Sequence, residues 1–295
     1  MRLYITGIAG LLGNNIVKQL VNRCEITGVD ILDIDIPNIS YAKFSLYETE
    51  RLREHIEEIK PDAVIHTAAA VNVDECEENP EWAYKLNEEV TKDIAEICAS
   101  LGVKMVYIST DAVFDGESEK LYTETDEVNP LNIYAKSKLG GEKYVLQRSE
   151  NLVFRTNIYG QNIQDKKSFG EWIVSALEEG KTLNMFEDID FSPILVTDLA
   201  EVIYEALREN LCGLYHVCAT GCISKYDFGV KLQEVFGLNE GNIQRSTSEN
   251  MHFKAKRSKH MGMSNQKIRD ALGIQIRTPE ESILEFKRLH DAKLR

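Results

Sequence analysis

The chain has 295 residues, 43% hydrophobic and 28% charged, and its 48 acidic against 34 basic side chains leave a formal net charge of -14. That composition excludes a coreless, disordered chain, and the charge disfavours nucleic acid and acidic membrane surfaces as partners. Six cysteines, at 24, 76, 98, 212, 218 and 222, form no C-x-x-C pair and read as reduced core residues; no apolar run reaches the ~20 residues of a membrane helix, so a cytoplasmic protein is expected.

The first element is an apolar strand, Arg2 to Thr6, followed by a helix from Leu11 to Leu20 whose apolar residues repeat at helical spacing. Between them lies G-x-x-G-x-x-G, with Gly7, Gly10 and Gly13. Glycine tolerates positive φ and close approach, while the free amides of the first helical turn, here Leu11, Leu12 and Gly13, point at any anion. "CEITGVD" is the second strand and "YAKFSL" the third; "ETERLREHIEEIK" is an amphipathic helix and "DAVIHTA" the fourth strand. A long helix follows, with Pro80 near its start and Gly102 at its end, as capping preferences suggest. "VKMVYIST" is the fifth strand, "NIYAKSKLGGEKYVLQRS" a helix and "NLVFRT" the sixth strand.

Strands alternating with helices predict a doubly wound α/β fold with a parallel sheet, whose ligand lies beyond the carboxyl ends of the strands. After residue 160 the rhythm loosens. Residues 161–190 carry a helix and a short strand, 198–209 a helix, 213–217 a return strand and 224–236 a further helix; 239–263 is polar and irregular, and two helices end the chain. The expected organisation is a dinucleotide-binding core over 1–160, completed by 191–218, with 161–190 and 219–295 as a small substrate-binding lobe.

Asp30 ends the second strand about 20 residues after Gly7, where an acidic residue accepts hydrogen bonds from the adenosine ribose. A carboxylate there repels a 2′-phosphate, and Ile31 and Leu32 offer no cation, so NAD(H) is expected over NADP(H), which stays open. Tyr134 and Lys138, four apart, share a helix face. An ammonium beside a phenol favours the phenolate and brings a pKa of ~10 toward working pH. Thr110, at the end of the fifth strand, can hydrogen-bond the same substrate oxygen. His66 and His216 read as hydrogen-bonded core histidines, and Trp82 and Trp172 as packing anchors.

Together these features resemble the extended short-chain dehydrogenase/reductase superfamily: the start Thr6 to Gly13, Asp30, "HTAAA" with Ala68, Ala69 and Ala70, Asn87, "ISTD" from Ile108 to Asp111, and Tyr134 with Lys138. Within it, "STDAVFDG", "TETDEVNPLNIYAKSKLGGEK", "FRTNIYG" and "GLYHVCATGCISKYDFGVKL" are most similar to the dTDP-4-dehydrorhamnose reductase branch. The resemblance implies a Rossmann-type fold and reduction of the 4-keto group of a nucleotide-linked 6-deoxyhexose. It implies Tyr134 as general acid, Lys138 holding the nicotinamide ribose and lowering the tyrosine pKa, and Thr110 orienting the ketone. It further implies Ala68 to Ala70 along the cofactor cleft and Asp111, Asn157 and Arg257 at the substrate; a homodimer stays open.

Neighbouring branches are separable by chemistry. The 4,6-dehydratases carry an acid after the Thr-Asp pair, where this chain has Ala112. A 4-epimerase stays open, as does a regulatory subunit resembling the β-subunit of methionine adenosyltransferase. Two positions depart from the reductase pattern. Asn157 and Ile158 stand where a Trp is usual, and Ser258 replaces the proline after Arg257. Relatives that bind magnesium use an acid two residues after the third glycine; this chain has Asn15, so no metal is expected.

Overall fold

The structure, a computed structural model, describes residues 1–33, 39–239, 241–251 and 253–293. Its first half runs β1 (Arg2–Thr6), α1 (Leu11–Leu20), β2 (Glu25–Asp30), β3 (Ser40–Lys43), α2 (Thr49–Ile59), β4 (Ala63–His66) and α3 (Val73–Glu78). Then come α4 (Pro80–Tyr84) and α5 (Val90–Leu101), joined through a π-helical turn at Lys85–Glu89, β5 (Lys104–Thr110), α6 (Ile133–Val145) and β6 (Leu152–Thr156). The long helix predicted from Pro80 to Gly102 is thus continuous but widened in its middle, and Gly102 ends it in the left-handed conformation.

The second half has β7 (Ile158–Tyr159), α7 (Phe169–Glu178), β8 (Thr182–Phe186), β9 (Asp190–Phe191), β10 (Ile194–Leu195), α8 (Val196–Arg208) and β11 (Gly213–His216). It ends with β12 (Ile223–Ser224), α9 (Lys225–Phe236), β13 (Asn242–Ser246), β14 (His260–Met261), α10 (Gln266–Leu272) and α11 (Pro279–Lys293).

The main sheet has seven parallel strands in the order β11-β6-β5-β4-β1-β2-β3. Strand alternation sends successive side chains to opposite faces. Leu3, Ile5, Ile65, Val106 and Phe154 meet α1 and α8 through Leu12, Ile16, Leu20, Leu199 and Ile203. Tyr4, Val64, Met105, Tyr107 and Val153 meet α2 and α5 through Leu52, Ile56, Ile94 and Cys98. Each such side chain, fully buried, contributes roughly 1.5–3 kcal/mol. The strand order reverses between β1 and β4, which opens a crevice at their carboxyl ends.

A separate apolar cluster, built on Tyr159, Ile173, Leu177, Phe191, Phe228, Ile283 and Phe286, holds the lobe together. Two features depart from the sequence expectation. Residues 239–263 are not wholly irregular, because β13 pairs with β8 and β14 with β9. Helix α10 faces the main core through Ile268, with Ile276 beside it, so this part of 219–295 packs with the sheet layer rather than with the lobe.

Among the described residues no helix is long and apolar enough to cross a membrane. Cys24, Cys76, Cys98 and Cys218 are buried as expected, whereas Cys212 and Cys222 are exposed. Trp82 packs in a small cluster beside Tyr134, but Trp172 is 44% exposed and stacks only its face on Phe169. Both histidines are core groups: His66 bonds Thr6 and Thr91, and His216 bonds the Tyr122 carbonyl.

Candidate active site

The glycine-rich turn forms one wall of the crevice. Gly7 has φ +73°, and a Cβ there would stand 2.7 Å from the amide nitrogen of Ala68. A Cβ on Gly13 would stand 2.7 Å from the Cα of Ile8. Both positions exclude any larger residue. Helix α1 begins after Gly10 with no side-chain cap, so the amides of Leu11, Leu12 and Gly13 are open to an anion. Asn15 is turned away, its amide donating to the carbonyls of Leu11 and Gln161.

Asp30 closes the far end of this wall. Its carboxylate accepts from the amides of Ala9 at 2.9 Å, Ile31 at 2.8 Å and Leu32 at 3.1 Å. A carboxylate has about four lone-pair sites, which leaves capacity for a ribose hydroxyl. Ile31 and Leu32 offer no cation, but the sheet brings one from further along the chain: Lys43 of β3 pairs in register with Asp30, and its ammonium is held by Asp33 at 2.5 Å. Nothing local in the sequence marks that pairing.

Ala68 and Ala69 lie half-exposed on the opposite wall, but Ala70 is buried. Its amide donates to Asn87 Oδ1 at 2.8 Å, and Asn87 Nδ2 donates back to its carbonyl at 3.0 Å and to Ser137 at 3.0 Å. The π-helical turn gives Asn87 this reach, and ties the cleft wall to α6.

Tyr134 and Lys138 come from α6, which is anchored at its N-terminus. Asn132 caps it by accepting from Ala135 N and donates to the carbonyl of Lys256 at 2.9 Å. Tyr134 packs beside Ala70, Cys76 and Trp82. Burial pushes its phenol up to about 12, opposed by a hydrogen bond with Thr110 and reinforced by the charge of Asp111. The lowered tyrosine pKa expected from the sequence is therefore not what the free protein holds. Burial wins, and the phenol stays protonated at neutral pH.

Lys138 is only 3% exposed and sits 4.1 Å from the centre of the Tyr107 ring. Burial pulls its ammonium down to about 7, against the opposing charge of Glu142 one turn on. Tyr107 is fixed in turn by donating to the carbonyls of Asn87 and Lys138. Beneath them Glu142 and Arg155 form a buried pair, bonded at 2.7 and 3.0 Å, and Ser109 donates to the same carboxylate.

Thr110 ends β5 beside the phenol, donating to Asp111 Oδ1 at 3.1 Å. Asp111 is buried and also accepts from Asn157 Nδ2 at 2.6 Å; burial raises its pKa. Arg257 pairs with Asp74 at 3.0 Å, and Asp74 also accepts from Ala255 N at 3.1 Å. Ser258, in the place of the usual proline, is buried and donates to the Phe114 carbonyl at 2.8 Å. The basic run from Lys254 to Lys259 is thus anchored rather than a free solvated loop. Thr110, Asp111, Tyr134 and Asn157 are thus joined by hydrogen bonds and charge, and Lys138 lies one turn after Tyr134 in α6.

The sequence reading missed Lys225. It opens α9, half-buried, with its ammonium 4.4 Å from the Phe169 ring centre and 4.2 Å from that of Phe191. Its charge acts on Asp111 and is acted on by Arg257, and burial lowers its pKa to about 8. A sign was available: a cation in the first turn of a helix faces the positive end of the helix dipole, so it needs another reason to be there.

A parallel sheet in this order, with a glycine turn at its switch point and a Thr, Tyr and Lys beyond its strand ends, defines a dinucleotide-binding α/β protein of the short-chain dehydrogenase/reductase type. Comparison with known proteins narrows this. Residues 1–289 match the RmlD substrate binding domain family, and the chain belongs to that family. A dTDP-4-dehydrorhamnose reductase of Aggregatibacter actinomycetemcomitans is 30% identical, over 93% of this chain and 94% of that protein. Among solved structures, a dTDP-4-dehydrorhamnose reductase from Clostridium acetobutylicum has 32% identity and a TM-score of 0.88, covering 99% of this chain and 100% of that one. The dTDP-4-dehydrorhamnose reductase of Bacillus anthracis, solved in complex with NADP, has 27% identity and a TM-score of 0.89, with 98% and 99% covered.

Proposed function

We propose that this chain reduces the 4-keto group of a nucleotide-linked 6-deoxyhexose with a reduced nicotinamide dinucleotide, NADH in preference to NADPH. The observation that carries the reading is the convergence of Thr110, Tyr134 and Lys138 beside the glycine turn, in a chain of the reductase family. Bound in the crevice, the dinucleotide supplies the hydride. The chain's own groups do the rest. The amides of Leu11 to Gly13 face the diphosphate, and Gly7, Ala68 and Ala69 leave room for it. The Thr110 hydroxyl orients the ketone oxygen. Tyr134, kept protonated by burial, gives its phenolic proton to that oxygen as the carbon gains hydride, so ketone, hydride and proton balance as the alcohol. Lys138 holds the ribose, and its charge stabilises the phenolate left behind. Residues 161–190 with most of 219–295 form the wall that receives the nucleotide sugar.

The cofactor preference rests on Asp30, whose carboxylate would meet a 2′-phosphate, and on Lys43, whose ammonium is already occupied by Asp33. Fluorescence titration is expected to give tighter binding of NADH by ~1 to 3 kcal/mol, the cost of a mismatched buried polar contact. Equal affinities, or tighter NADPH, contradict that role. A panel of nucleotide-linked 4-keto-6-deoxyhexoses tests the reaction itself. Cofactor oxidation with at least one member is expected. A protein that binds NADH, reduces none and instead co-purifies in fixed ratio with another enzyme would be the regulatory subunit, and the reductase reading would fall.

A further inference from the structure

We propose that Lys225 is a second cationic ligand, with Arg257, for the diphosphate of the nucleotide-linked substrate. The inference rests on the reductase reading above, and adds to it a residue on the lobe. The Lys225 ammonium stands against two aromatic rings, and among the described residues it has no hydrogen-bonding partner, the backbone amide alone being bonded, to the Ile189 carbonyl. Arg257 is braced the same way, its guanidinium 5.0 Å from the Phe253 ring centre. Asp74 takes one side of that guanidinium, but Nη1 is buried with no partner. The two cations repel each other across the cleft.

Two half-buried like charges, each with donors to spare, repel each other until an anion joins them. Asp111, the acid whose charge acts on Lys225, already accepts from Asn157 and Thr110. Its charge does not complete the set. The aromatic faces hold both cations without consuming their N–H donors, because a cation–π contact uses the ring's quadrupole and leaves hydrogen bonds free. That is an arrangement prepared for oxygens of an incoming group. The charge of Lys225 acts on Asp111, the residue after Thr110, and Arg257 lies on the anchored segment that Asn132, the cap of α6, also grips. A diphosphate bridging the two cations would place the attached sugar toward Thr110 and Tyr134. Lys225 acts there as a point charge, and Arg257 as a directional fork. Since α9 belongs to the lobe and Arg257 to the segment gripped by α3, the same diphosphate would tie lobe to core.

Lys225→Met removes the charge while keeping an unbranched stem between Phe169 and Phe191. Isothermal titration of the whole, NADH-loaded protein with dTDP and with UDP is expected to show affinity for the better nucleotide falling by about tenfold to a hundredfold, the range of a charge-assisted hydrogen bond. NADH affinity should be unchanged. Lys225→Arg, which restores charge, should keep most of the nucleotide affinity. The inference is overturned if Lys225→Met binds the nucleotide as the wild type does, or if Lys225→Arg loses as much as Lys225→Met, which marks a packing role. If the wild type reduces a keto sugar but these variants are indistinguishable from it in dTDP and UDP binding, only the inference falls. If the wild type binds neither nucleotide and reduces nothing, the inference and the reductase reading fall together.

Discussion

On the dinucleotide side of the cleft the shape comes from backbone: Gly7 and Gly13 exclude atoms, the α1 amides are left open, and Asp30 binds three amides of its own wall. On the lobe side it comes from side chains brought from distant segments, Asp111, Asn157, Lys225 and Arg257, resting on one another and on aromatic rings. A backbone wall is damaged by adding atoms. A side-chain wall is damaged by removing them. In the proposed function the first meets what all dinucleotides share, and the second can be retuned residue by residue without disturbing the sheet.

The largest expected effect lies beneath both walls. Glu142→Gln removes one partner of a pair whose side chains are 2% and 5% exposed, leaving the Arg155 charge buried. Unfolding free energy should drop by about 3–5 kcal/mol, measured by urea denaturation. A loss under ~1 kcal/mol would mean the pair does not couple α6 to β6. Next, Gly13→Ala adds one methyl against Ile8 and should weaken NADH binding by roughly tenfold to a hundredfold, the fold equivalent of overpacking. Binding of dTDP should be spared; parallel loss of both would erase the contrast between the walls.

A smaller effect concerns pH. Burial lowers His66 and His216 to about 3 from an ordinary value of 6.5. Below 6.5 the unfolded chain takes protons that the folded one refuses, so stability is full above 6.5 and falls toward 3, by up to about 1.4 kcal/mol per pH unit for each histidine. Urea midpoints at pH 8, 6 and 5 should fall in that order. His216→Asn, which can still donate to the Tyr122 carbonyl, should show a shallower decline, and an equal slope would place the acid sensitivity elsewhere.

The glycine turn and the strand-end position of Asp30 were legible in the sequence because their rules are local. Gly7 to Gly13 and Asp30 sit at fixed offsets from a strand and a helix, and Tyr134 and Lys138 are one turn apart. The lobe wall was not, since its members meet only through tertiary folding. Arg257 could be named from its family motif, but not its grip on Asp74, and Lys225 lies more than a hundred positions from Asp111 in the chain. Lys43 shows the same limit within the sheet: its proximity to Asp30 is set by strand register, which no local pattern states. Burial, too, has no spelling in a Y-x-x-x-K motif, and burial is what raises the Tyr134 phenol instead of lowering it.

In the proposed reduction Tyr134 is the proton donor. Its most direct test compares wild type and Tyr134→Phe for turnover of the best keto sugar and for NADH affinity in the same preparations. The ring and its packing against Ala70 and Cys76 are kept, so NADH affinity and thermal stability should survive, while turnover falls by roughly 100-fold to 10,000-fold, as for loss of a positioned general acid. A Tyr134→Phe protein that reduces the sugar at the wild-type rate contradicts the mechanism.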